Sequence, residues 1–367
     1  MVLKRNPFTP QDPVTDPKRF AGRRTLLRSG VDSLFNSKNV LITGPRGIGK
    51  SSLAYQLLYM TQGEQELLEK LDIYLEDSCF NWVTGDHRCS VENSLADIAR
   101  GLVVTLAKSA QVNLPAHIQQ KSSRGLNFSL LKASEETTTE PLAASDVANW
   151  FTMQVSSIFE MCEKPRSGVG FLIDEVDVLP KEVQLGSFLK ASVEKFRLDG
   201  HLSICFIVGG VTGTATSLIA QHASTRRLFE HLELQEMSYD ELEELVELTL
   251  EGTGVRIATA ALPKMIQMAN NFPQPLQLIG YHSFRLDEDG TIDIADIEDA
   301  KRYIIEYSLR RDYADKLRRL HRGKRADLIQ AISETPRSTV SFKSLENSIA
   351  QKLELCLSKV LVSLPSV

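Results

Sequence analysis

Gly44-Pro45-Arg46-Gly47-Ile48-Gly49-Lys50-Ser51 fits the phosphate-binding loop pattern G-x-x-x-x-G-K-[ST] at every fixed position. Its flanks supply the required context. Val40 to Thr43 reads as a buried strand entering the loop, and Ser52 to Leu58 as a helix leaving it. The glycines let the backbone curl so that successive N–H groups point at phosphate oxygens. The helix N-terminus adds the positive end of its dipole. In this pattern Lys50 reaches the β- and γ-phosphates and the Ser51 hydroxyl holds Mg²⁺, with Ser52 closing the cradle.

A second stretch reinforces the first. Gly170-Phe171-Leu172-Ile173-Asp174-Glu175 is an apolar run ending in two acids, as expected of a buried parallel strand whose C-terminal end faces a ligand. Asp174 takes the position that binds Mg²⁺, directly or through water. Glu175 takes the position that orients and deprotonates an attacking water. An acid at Glu175 favours hydrolysis over phosphoryl transfer to a second nucleotide. No N/T-K-x-D guanine signature is present, so ATP, with ADP as its product, is the expected nucleotide.

At 367 residues the chain has room for two or three domains. Apolar content of 42% and charged content of 24% are those of an ordinary globular protein. No apolar stretch reaches membrane-spanning length, and Met1 to Pro7 lacks the apolar core of a signal peptide. A cytoplasmic protein with no membrane partner is the expectation. The five cysteines are scattered without a C-x-x-C pair, which argues for reduced thiols and against a zinc site. The net charge of −5 argues against indiscriminate nucleic-acid binding. The segment 301–325 is nevertheless basic. It reads as a solvated helix face, with a DNA-backbone contact or an inter-subunit surface as the alternatives.

Strands and helices alternate as far as Glu236. Helices are expected at Thr25–Phe35, Asn93–Ala110, from a cap at Ser145, and at Val183–Arg197. Leu218, Ile219 and Leu228 mark another. Strands are expected at Asn81–Thr84, Leu202–Val208 and Leu232–Leu234. From Ser238, where Ser238-Tyr239-Asp240-Glu241 forms a capping box, the pattern becomes all-helical. Helices are then expected at Thr259–Ala269, Gln274–Phe284 and Ile292–Leu309. The expected fold is α/β: a parallel αβα P-loop core, then a helical lid, then a small winged-helix-like C-terminal module. The corresponding boundaries are an extended arm over 1–19 and a core over 20–236 with a polar insertion near 111–144. A lid over 237–310 follows, and then a basic linker with a small helical or winged-helix-like region over 311–367.

This order of parts resembles the AAA+ and STAND branch of P-loop ATPases, most closely the archaeal-ATPase and origin-recognition (initiator-like) group. The resemblance rests on Phe20-x-Gly22-Arg23, the loop Gly44–Ser51, Asp174-Glu175-Val176-Asp177, Thr225-Arg226-Arg227-Leu228-Phe229 and Asn271-Phe272-Pro273-Gln274-Pro275. It implies that Phe20 and Arg23 lie near the adenine and that Thr212 stands near a sensor position after the fourth strand. It implies that Arg226 or Arg227 acts as an arginine finger on ATP held by a neighbouring subunit. Gln274 stands where the initiator pattern has a second sensor arginine. STAND-type proteins share that departure, and in them the turn at Pro273 closes over the nucleotide. The implied function is a Mg²⁺-dependent, slowly hydrolysing switch ATPase that assembles with itself or a partner ATPase, or acts on DNA through 301–325 and the C-terminal region. The alternative is a STAND-type signalling or defence NTPase whose C-terminal region senses a protein or nucleic-acid trigger.

Overall fold

The computed structural model describes residues 5–74, 80–115, 118, 143–199, 203–221 and 227–304. Asn39–Thr43 forms β1, buried at every position, which is the signature of a strand covered on both faces. Trp82–Arg88 forms β2, Gly168–Asp174 β3, Ser203–Gly210 β4 and Phe229–Glu233 β5. They pair in parallel in the order β2-β3-β4-β1-β5.

The two-residue period of the strands divides their side chains between two cores. Val169, Phe171 and Ile173 of β3 face one side with Phe206 and Val208 of β4, while Leu172, Cys205 and Ile207 face the other. The first core is covered by α4 (Leu95–Ala110), α5 (Ala144–Glu160) and α6 (Leu185–Asp199). Phe151 sits at its centre, with the rings of Phe171 and Phe188 at 5.1 and 5.3 Å. The second core is covered by α1 (Arg24–Phe35), α2 (Lys50–Thr61) and α3 (Gln65–Lys70) through Leu27, Leu34, Leu53, Leu57 and Leu67. The expected αβα sandwich is therefore the observed one. A short α7 (Thr214–Gln221) follows β4.

After β5 come α8 (Tyr239–Leu250), β6 (Arg256–Ile257), α9 (Ala261–Ala269), α10 (Pro273–Leu286), β7 (Thr291–Ile292) and α11 (Ile294–Tyr303). Ser238 and Glu241 form the expected reciprocal capping box at the start of α8. This region is not wholly helical: β6 and β7 pair as a separate two-stranded parallel sheet. Residues Met1–Ile297 form one compact unit, so the lid helices α8 to α10 belong to the same unit as the sandwich. A second unit covers Glu298–Val367, described only as far as residue 304. Within it Lys301 and Arg302 pair with Glu298 and Asp299 one turn back.

Several local expectations are corrected. The helix expected to be capped by Ser145 has Ala143 at its N-cap, with no side-chain cap bond. Leu228 lies in a single turn ahead of β5 rather than in a helix. β2 continues four residues past Thr84, and α3 was not expected. The strand expected over 126–131, the helices expected near 326–333 and 342–352, and the apolar run 353–364 lie outside the described residues.

Candidate functional site

β1 ends at Thr43, in register with Gly210 of β4 and Glu233 of β5, so the phosphate-binding loop leaves the sheet between two parallel neighbours. Gly47 and Gly49 hold φ of +78° and +98°, a region that costs other residues free energy. Gly49 is the N-cap of α2. A Cβ on Gly47 would stand 2.8 Å from Gln274 Oε1. The cradle thus depends on glycine for both conformation and space. Ile48 is fully buried beneath the loop, while Pro45 and Arg46 are exposed. Lys50 Nζ donates to Pro45 O at 2.8 Å. Burial draws the Lys50 ammonium below its ordinary pKa, against the pull of Asp177 and Asp174.

The end of β3 faces the loop. Asp174 is 4% exposed, with the Ser51 hydroxyl near enough to draw its carboxyl pKa down, while its Oδ1 accepts from Glu175 N at 2.9 Å. Burial pushes its carboxyl above the ordinary range, despite both effects. Glu175 follows in the left-handed region, φ 56°. Arg88, in register with Asp174 at the end of β2, donates to Glu175 Oε1 at 2.7 Å. That bond holds the Glu175 carboxyl below its ordinary range. Asp177 links two further segments: its Oδ2 lies 3.4 Å from Arg46 Nη2, and its Oδ1 accepts from Val211 N at 3.2 Å.

These groups line one cavity of about 710 Å³. Among the described residues, no group of three or more His, Cys, Asp or Glu side chains could hold a metal ion. Ser51 and Asp174 are two neighbouring oxygen donors, which suits Mg²⁺, an ion that takes most of its coordination from water and phosphate oxygens.

The lid and the N-terminal arm wall the same cavity. Gln274 N, at the start of α10, donates to Gly47 O at 3.2 Å, and Pro273 lines the cavity beside it. Arg23 is 8% exposed and donates from Nη2 to Ile48 O at 3.2 Å, so it braces the loop from behind. Its own backbone N–H and that of Gly22 are held by Glu241 and Glu244 of α8. Phe20 is buried in the second core. Neither Phe20 nor Arg23 is among the residues that line the cavity, whereas arm residues Thr9 to Val14 are. Val14 N donates to Ser52 Oγ at 3.0 Å, Gln56 Nε2 to Val14 O at 2.8 Å, and Thr9 N to Gln277 Oε1 at 2.9 Å.

The remaining expected residues stand apart. Thr212 is exposed on the turn after β4, and its neighbour Val211 reaches the cavity instead. Arg227 is exposed in the turn before β5, and Arg226 lies outside the described residues. Sequence reasoning missed Arg88, Tyr55, Asp177 and Gln277, all of which line the cavity. Asp177 could have been found from its place three residues beyond Asp174.

No family model matches the sequence, and no curated protein sequence matches it. Solved structures do resemble the fold. The Walker-type ATPase PABY2304 of Pyrococcus abyssi matches over 93% of this chain and 92% of its own, at 14% identity and a TM-score of 0.52. The Aeropyrum pernix ORC1 protein, solved in complex with DNA, matches over 95% of this chain and 80% of its own, at 16% identity and a TM-score of 0.50. The resemblance read from the sequence therefore holds at the level of the fold, an α/β P-loop core built on a five-stranded parallel sheet.

Proposed function

We propose that this chain is a Mg²⁺-dependent switch ATPase that binds ATP, hydrolyses it slowly, and self-assembles, acts on DNA, or both. The carrying observation is the convergence of Lys50, Ser51, Asp174 and Glu175 on one cavity. Lys50 exchanges the Pro45 carbonyl for the β- and γ-phosphate oxygens. Ser51 and Asp174 hold Mg²⁺, which when bound neutralises charge on the phosphates. Glu175 takes a proton from water as the water oxygen bonds to the γ-phosphorus. The bond from that phosphorus to the bridging oxygen breaks, and its electron pair leaves with ADP. Turnover is slow because the Glu175 carboxylate is held by Arg88, which lowers its basicity. The arm and the lid wall the cavity on two sides.

Self-assembly follows if Arg226 or Arg227 reaches ATP on a neighbouring copy. DNA binding follows if the basic segment 301–325 meets a phosphate backbone. One observation favours the STAND-type alternative: the lid presents the neutral Gln274 to the loop rather than an arginine.

The direct test is ATP binding and hydrolysis by wild type, Lys50→Ala and Glu175→Gln. Lys50→Ala should lose binding; Glu175→Gln should bind ATP without turnover. Equal rates in wild type and Glu175→Gln would remove Glu175 from the reaction. DNA mobility with and without ATP, at stated salt, tests the DNA-binding part of the proposal. Among the described residues no helix is long and apolar enough to cross a membrane.

A further inference from the structure

A phosphate-binding loop does not require a charged side chain at its third position, yet this one carries Arg46. Arg46 is 80% exposed and lines the cavity with Lys50, Ser51, Asp174 and Glu175. Its contact with Asp177 is long, at 3.4 Å. Exposed pairs of this kind contribute little and are readily exchanged. The two carboxylate oxygens of Asp177 are divided between Arg46 and the backbone of Val211.

The charges around the cavity sharpen the point. Among the described residues that line it, the cations are Arg46, Lys50 and Arg88, and the acids are Asp12, Asp174, Glu175 and Asp177. Arg88 is committed to Glu175 at 2.7 Å. The lid end contributes the neutral Gln274. Lys50 alone therefore faces the triphosphate, whose terminal group carries the charge that distinguishes ATP from ADP. Arg46 is the nearby cation with the weakest hold on its present partner. A guanidinium can fork onto two oxygens of one phosphate, which a lysine cannot.

We infer that Arg46 is a γ-phosphate ligand supplied by the loop itself, exchanging Asp177 for the terminal phosphate of ATP. The inference rests on the nucleotide reading of this cavity. ADP offers no such group, so with ADP the Arg46–Asp177 contact persists. The exchange also frees one oxygen of Asp177 next to the turn that follows β4. The ATP-bound and ADP-bound proteins then differ at a defined contact, as a switch requires.

The test uses the full chain and reads binding rather than turnover. Affinities for Mg²⁺–ADP and for the slowly hydrolysed analogue Mg²⁺–ATPγS are measured by calorimetry for wild type, Arg46→Ala, Arg46→Lys and Asp177→Asn. Arg46→Ala should lose about tenfold in ATPγS affinity while ADP affinity stays within about twofold, the size expected for one charge-assisted contact. Arg46→Lys should recover part of the loss. Asp177→Asn should shift the ratio towards ATPγS, because it releases Arg46. Equal weakening of both nucleotides by Arg46→Ala, or an unchanged ratio, overturns the inference while leaving the nucleotide reading in place. Failure of the wild type to bind either nucleotide overturns both.

Discussion

Arg88 Nη2 stands 2.7 Å from Glu175 Oε1, joining the last residue of β2 to the first residue after β3. The register of the sheet makes this contact, since Arg88 pairs with Asp174 and its side chain then falls beside the next residue. Both side chains are partly solvated, 65% and 39% exposed, so the pair contributes at most about 1 kcal/mol. On the proposed function, Arg88→Ala frees Glu175 and raises its basicity. ATP turnover should rise by up to about fivefold, which is what that energy is worth in rate. The folded Glu175 carboxyl lies below its ordinary value. The stability it gains from Arg88 is therefore present at neutral pH and is lost as pH falls through that lowered value. Melting temperatures of wild type and Arg88→Ala should differ at neutral pH and converge in acid. A variant slower than wild type would show that Arg88 assists Glu175 rather than restraining it.

Asp174 has the opposite sign. Burial raises its folded carboxyl above the unfolded value, so it favours the fold in acid, and that contribution fades as pH rises through the raised value. Asp174→Asn keeps an oxygen near Ser51 and removes the buried charge. Without Mg²⁺ and nucleotide, the variant should melt above wild type at neutral pH. With both present, wild type should gain stability and the variant should not. Equal gains would remove Asp174 from the metal site.

Arg23 combines a buried hydrogen bond to the loop with a left-handed backbone, φ 58°. Arg23→Ala loses the bond to Ile48 O and keeps the unfavourable φ, costing about 1–3 kcal/mol. Arg23→Gly loses the same bond but relieves the backbone, so it should be more stable than Arg23→Ala by about 1 kcal/mol. Urea denaturation of the two variants reads the difference directly. An alanine variant equal to glycine would mean that the backbone at position 23 relaxes when the arginine is gone.

Phe8 anchors the arm. Its ring is 1% exposed, lies edge-on to Phe284 with centroids 6.5 Å apart, and fills the space a side chain on Gly280 would need. Phe8→Ala should release the arm locally, at a cost of up to about 3 kcal/mol. Hydrogen exchange should quicken at the amides of Thr9 and Val14, and nucleotide affinity should fall. Gly280→Leu should reproduce both effects from the lid side. Unchanged exchange at Thr9 and Val14 in both variants would show that the polar contacts hold the arm without Phe8.

The parts legible in the sequence are those whose chemistry is local. The phosphate-binding loop and the run ending at Asp174-Glu175 each lie within a few consecutive residues, and both were placed correctly on their strands. Arg88 was not legible. Gly85-Asp86-His87-Arg88 is polar and opens on glycine, a poor strand former, and it is strand only because it pairs with Phe171 to Asp174. The arm reads as a Pro- and Asp-rich tail until Phe8 meets Gly280 and Phe284. α3 spans only six residues, and β6 and β7 two each, too short for a period to emerge. Thr212 rests on motif order alone; β4 runs two residues beyond the expected end at Val208, and Val211 rather than Thr212 lines the cavity.

The arm's bonds carry a consequence for biosynthesis. Asn6 reaches the carbonyl of Tyr281 and Thr9 reaches Gln277, spanning 275 and 268 positions of the chain. Both separations exceed those within the sandwich, where β1 pairs with β5 by joining Asn39 to Phe229, so the arm closes the longer loop. During translation the arm leaves the ribosome before the sheet does, yet it cannot dock until α10 has followed the entire sheet. A nascent chain therefore exposes a formed phosphate cradle well before the segment that walls it is in place. Nucleotide present in the cell can enter the cradle during that interval, so docking of the arm would be the step that traps it.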